Sequence, residues 1–110
     1  MEDKDNQDHF EVLRKIQKKP NSTQRELAEE LGFSLGKLNY CIKELRNKGF
    51  IKIQNFKKNP NKFNPMSKAN YLYILTPKGF IYKSKLTVKF MKLKMKEYDE
   101  LKKDLENDKK

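Results

Sequence analysis

Two capped helices separated by only two residues constrain this chain more than any other stretch. Thr23-Gln24-Arg25-Glu26 has the form of a capping box, in which a threonine hydroxyl takes an orphan N–H and a glutamate three residues on reaches back. Leu27, Ala28 and Leu31 form the buried side of the short helix that follows, and Gly32 stops it. Phe33 bridges to Ser34, itself a good N-cap, and a second helix runs from there to Gly49. Leu38, Ile42 and Leu45 fall at i, i+4 and i+7, one apolar stripe at helical period. A turn this tight forces the two helices to cross sharply, as in a helix-turn-helix. Taken alone, the same pattern also fits an αα-corner that meets no nucleic acid.

The face opposite the stripe carries Gly36, Lys37, Asn39, Tyr40 and Lys43. These are small, amide, phenolic and cationic groups, the set that reads base edges and grips phosphates. Charge supports that reading. The 110 residues carry a net charge of +11, which points to a polyanionic partner. The charge is also unevenly placed: between Glu44 and Glu97 there is no acid, yet fourteen Lys and Arg. That makes one region a continuous cationic surface.

The length predicts one domain with an extension. Residues 1–6 are expected to be disordered and residues 7–79 to form the DNA-binding domain. A first helix is expected from about Gln7 to Lys18, with Phe10, Leu13 and Ile16 spaced three apart beside Val12, and Pro20-Asn21 ends it. His9, the single histidine, is read as a surface or packing residue, because a metal site needs several ligands. After Gly49 the period changes. Residues 50–56 and 71–75 are rich in β-branched and aromatic side chains and read as two strands. The stretch between them is turn-forming, cationic and free of acids. A hairpin with a basic loop directly after a helix-turn-helix is a winged helix. Its cations, Lys57, Lys58 and Lys62 among them, are all lysines, which favour phosphate contact over base reading.

Thr76-Pro77 opens the last helix, with Thr76 as N-cap and proline at the first helical position. It is expected to reach about Leu105, leaving 106–110 as a frayed tail. Such a helix is too long for one small domain to cover. Ile81, Val88 and Met95 share one heptad position, and Ser84, Met91, Tyr98 and Leu105 the other, interrupted by Lys102. Leu86, Phe90, Leu93 and Leu101 lie off that seam, so the helix is apolar on more than one side. Residues 80–105 are therefore read as a dimerisation helix, with Ile81, Val88, Met91, Met95 and Tyr98 at the interface.

The stretches STQRELAEELGFSLGKLNYCIKELRNKGFIK, YLYILTPKG and LTVKFMKLKMKEYDEL resemble the MarR-family EPS-associated (exopolysaccharide-associated) regulators over roughly residues 7–105. That resemblance implies a mainly α fold with a small β-hairpin wing. It also implies a transcription factor that binds double-stranded DNA as a homodimer. Ser34, Gly36, Lys37, Asn39, Tyr40 and Lys43 match the family's recognition helix, Thr23, Gln24 and Arg25 the start of its supporting helix, and Lys57 and Lys58 the wing's first basic pair. From Asn64 to Asn70 the wing is longer than is usual in the family. The chain is shorter than ligand-responsive members, and no small-molecule effector is implied.

Asn39 and Lys37 are the expected base readers. Arg46 joins Thr23, Arg25, Lys43 and the wing lysines as expected backbone contacts. No enzyme activity, metal or cofactor is expected: the sequence has no P-loop and no Cys–His pair at meaningful spacing. Cys41 is expected to be a small packing residue. The acidic, polar N-terminus does not read as a signal peptide, and no apolar run suits a membrane span, so a cytoplasmic, nucleoid-associated protein is expected. Two other classes stay open: an architectural nucleic-acid binder without sequence preference, and a winged helix used for protein contact.

Overall fold

The computed structural model describes residues 2–55 and 71–109. Four helices and one hairpin follow in the order α1 (Glu2–Lys18), α2 (Gln24–Leu31), α3 (Leu35–Asn47), β1 (Ile51–Asn55), β2 (Tyr71–Leu75) and α4 (Pro77–Asp108). The two strands are antiparallel, with Ile51 opposite Leu75 and Ile53 opposite Tyr73. This is a winged helix: mainly helical, with a two-stranded hairpin and a long C-terminal helix.

Local chemistry sets the helix ends. The Thr23, Ser34 and Thr76 hydroxyls each accept an N–H three residues on, from Glu26, Lys37 and Gly79. In the predicted capping box, the Glu26 carboxylate accepts from the Thr23 hydroxyl at 3.1 Å. Gly32 and Gly49 follow α2 and α3 with φ of 71° and 79°, the left-handed region that side-chain-bearing residues rarely enter. Gly49 lets the chain reverse so that the Phe50 N–H reaches the Leu45 carbonyl at 2.9 Å.

The apolar stripes of α1, α2 and α3 meet in one core with the inner face of the hairpin. Leu13, Ile16, Leu27, Leu38 and Leu45 are fully buried, joined by Ile51, Tyr73 and Leu75. Each such leucine stabilises the fold by about 1.5–3 kcal/mol relative to an exposed one. The Tyr73 N–H bonds to the Pro20 carbonyl at 2.9 Å, tying the hairpin to the α1–α2 turn.

α4 joins this body through its first turns. Thr76 donates from its hydroxyl to the Gly49 carbonyl at 2.6 Å and from its N–H to the Phe50 carbonyl at 3.0 Å. Phe50 stacks on Tyr82 with ring centroids 4.1 Å apart. Gly79 is buried against the same carbonyl, and a Cβ there would run into the Phe50 oxygen. Gly79→Ala is therefore expected to cost about 3 kcal/mol, the upper end for overpacking, read as a lowered urea midpoint. An unchanged midpoint would mean that α4 shifts freely on the hairpin.

At both ends of the chain the structure differs from the sequence reading. Residues 2–6, expected to be disordered, are the first turns of α1. They are anchored where the Asn6 side-chain carbonyl accepts from the Tyr82 hydroxyl at 3.2 Å. The tail expected to fray from residue 106 stays helical through Asp108. Phe10, spaced three from Leu13 in the sequence, packs half-buried on Phe90 of α4, ring centroids 5.1 Å apart. The buried positions of α1 are His9, Val12, Leu13 and Ile16.

Candidate nucleic-acid interface

α3 divides into faces that burial makes explicit. Leu38, Cys41, Ile42 and Leu45 are buried. At 100° per residue, the pole opposite them holds Gly36, Tyr40, Lys43 and Asn47, all exposed. Asn39 and Arg46 lie on one flank of that pole, Asn39 half-buried and Arg46 exposed. Lys37 and Glu44 lie on the other flank, against α1. Ser34 caps the helix and is exposed beside Gly36. Nothing lies within 4 Å of where a Gly36 Cβ would be, so the backbone is bare at the start of the helix.

Asn47 was not singled out in the sequence. It continues the Gly36–Tyr40–Lys43 row by four residues, and that spacing is the signal that finds it.

The α1 flank is ordered by a polar network. His9, only 2% exposed, places Nε2 2.9 Å from Glu44 Oε2 and Nδ1 3.3 Å from the Tyr82 hydroxyl. The Glu44 carboxylate can only accept, so Nε2 carries the hydrogen. The other Glu44 oxygen accepts from the Tyr40 hydroxyl at 2.8 Å. That bond from Tyr40, with the one from His9, holds the Glu44 carboxyl below its ordinary range and pushes the Tyr40 phenol up. A chain of contacts thus runs from α4 through α1 to a tyrosine at the outward pole of α3.

Lys37 belongs to the same flank. Its ammonium pairs with Asp8 at 3.3 Å and sits 4.2 Å over the Phe33 ring. It is therefore directed at α1 rather than at the outward pole, and must leave Asp8 to meet a base. Cys41 is 4% exposed, and burial, followed by nearby Asp8, pushes its thiol up to about 11, as suits a packing residue.

α2 packs across α3 and carries Thr23 and Gln24, half-buried, and Arg25, exposed, at its N-terminal end. Lys57, Lys58 and Lys62 of the wing lie outside the described residues. Among the described residues, no three His, Cys, Asp or Glu side chains are grouped as a metal site, and no helix is long and apolar enough to cross a membrane. On α4, Ile81, Val88, Met91, Met95 and Tyr98 are 50–64% exposed.

Residues 9–52 match the winged helix-turn-helix DNA-binding family. No curated protein matches the sequence. Among solved structures, the chain is similar to Staphylococcus aureus MarR in complex with salicylate and kanamycin: TM-score 0.62 at 20% identity, covering 84% of this chain and 56% of that one. It is similar to the PcaV transcriptional regulator from Streptomyces coelicolor with its natural ligand: 0.61 at 19%, covering 78% and 55%. It is also similar to a mutant MarR from E. coli complexed with operator DNA: 0.53 at 27%, covering 71% and 50%. The chain thus spans a little over half the length of the first two proteins. The match over residues 9–52 and the fold shared around it give this chain a winged helix-turn-helix fold similar to that of the MarR structures.

Proposed function

We propose that this protein is a transcriptional regulator that binds double-stranded DNA sequence-specifically, as a homodimer on a pseudo-palindromic operator. The observation that carries the reading is the outward pole of α3. It is a bare glycine followed by a phenol, a lysine and an amide at helical spacing, inside a winged helix-turn-helix. The similar E. coli MarR is seen with operator DNA, which supports the same class of partner here. The resemblance to EPS-associated regulators extends the proposal to exopolysaccharide genes, acted on in the cytoplasm at the nucleoid.

In this reading α3 enters the major groove, and the two helices of the dimer meet successive groove faces about 34–36 Å apart. Asn39 pairs with adenine, and Tyr40 and Asn47 reach neighbouring base edges or phosphates. Lys37 donates to guanine once it is released from Asp8. Lys43, Arg46 and Arg25, with Thr23 and Gln24 at the start of α2, hold the sugar-phosphate backbone, and the wing lysines follow it outward. Ile81, Val88, Met91, Met95 and Tyr98 join the two copies.

Selection on random duplex DNA is expected to recover an inverted repeat. Asn39→Ala is then expected to lose about 1–3 kcal/mol on that site and little on scrambled duplex. Equal losses on both would show that Asn39 does not read bases. Enrichment without any motif would favour a second reading, an architectural binder. The acid-free stretch between Glu44 and Glu97, with its fourteen Lys and Arg, supports that alternative.

A further inference from the structure

We propose that two copies of this chain pair through α4 in antiparallel register, with the dyad beside Leu93. This rests on the dimer reading above and specifies how the helices meet.

The exposed seam of α4 is symmetric about residue 93. Ile81 then faces Leu105 of the partner subunit, Val88 faces the partner's Tyr98, and Met91 faces the partner's Met95. All of these side chains are at least half exposed in the single chain. The two seam positions that are not apolar fall opposite each other, Ser84 against the partner's Lys102. Lysine can lay its stem over a small serine and carry its ammonium out to water. In a parallel pair in register, each seam residue meets its own copy, which sets Lys102 against the partner's Lys102 in the middle of an apolar seam.

Charge selects the same orientation. Residues 77–96 carry seven lysines and no acid, whereas residues 97–108 carry six acids and two lysines. Antiparallel pairing lays each cationic half along the partner's acidic half. Parallel pairing sets like against like along the whole helix. Packed helices lie about 8–10 Å apart, comparable to the screening length of about 8 Å in physiological salt, so the difference is damped but still felt. Near the dyad Lys92 and Lys94 approach their own copies, and there Lys94 has Glu97 of its own helix at 3.9 Å.

The same register accounts for a residue off the seam. Leu101 is 68% exposed, on a stretch of α4 with no domain beneath it. In the antiparallel pair, the partner's Leu101 lands beside Thr87. It enters the groove of about 550 Å³ between α1 and α4 that Phe10, Thr87, Phe90 and Met91 line. One packing arrangement therefore fills both the seam and the groove with a second copy.

A nitroxide at Lys103→Cys on the full chain, read by double electron-electron resonance, tests the orientation. Lys103 is exposed on α4, and the buried Cys41 thiol is shielded from the label. Ten residues from the dyad on each side, at 1.5 Å per residue, predict labels about 30 Å apart. A distance under about 20 Å, as two helices side by side in parallel would give, would overturn the orientation and leave the dimer standing. No dipolar coupling, with a monomer mass in sedimentation, would overturn the dimer reading itself and this inference with it.

Discussion

Raising the salt concentration from 50 to 200 mM is expected to weaken operator binding by about three to four orders of magnitude. The figure follows from counterion release. If each half of the dimer contacts ~3–4 phosphates, the log–log slope is about −5 to −7, and a fourfold rise in salt multiplies the dissociation constant accordingly. The residues assigned to the backbone are exposed lysines and arginines such as Arg25, Lys43 and Arg46, free to displace condensed cations. Glu44, the acid on α3, is held sideways by His9 and Tyr40 and so does not project from the outward pole. Fluorescence anisotropy over a salt series checks the slope. A shallow slope near −1 or −2 would sink the phosphate assignment, whereas identical slopes on specific and scrambled duplex are compatible with it, because base contacts add affinity without adding counterions.

Leu38→Ala is expected to cost about 2–5 kcal/mol of stability, the range for emptying a fully buried leucine site. Leu38 has no exposed surface and lies where α3 meets the stripes of α1 and α2. For a domain of this size the melting temperature should fall by about 10–20 °C or more. Lys43→Ala, five residues on and exposed, should move stability by less than about 0.5 kcal/mol while weakening DNA binding. Thermal melts and DNA titrations of the two variants side by side separate the face of α3 that holds the fold from the face proposed to meet DNA. A mild Leu38→Ala would mean that the core around α3 collapses to fill the cavity.

Local chemistry is legible in the chain. Thr23, Ser34 and Thr76 cap their helices because each partner lies three residues away, whatever the rest of the molecule does. Gly32 and Gly49 end theirs because left-handed backbone is cheap only for glycine. The buried stripe of α3 is likewise written at a fixed period. These signals are enough to derive a helix-turn-helix followed by a hairpin and a long helix.

Contacts between distant segments were not legible in that way. His9 meets Glu44 and Tyr82 across separations of 35 and 73 residues, and a lone histidine carries no sign of either partner. The sequence groups Lys37 and Lys43 together on the polar side of α3. Only the path of α1 past α3 brings Asp8 and turns Lys37 inward. Asn6 of α1 meets Tyr82 of α4 across 76 residues, a contact no local propensity announces. By itself, then, the sequence determined which segments form helices and strands, where they stop and which face of each is apolar, since those depend on neighbours a few residues away. The tertiary structure alone decided which polar side chains of α3 point outward and which are claimed by α1. It also decided which apolar side of α4 is covered, because those outcomes depend on how whole helices cross.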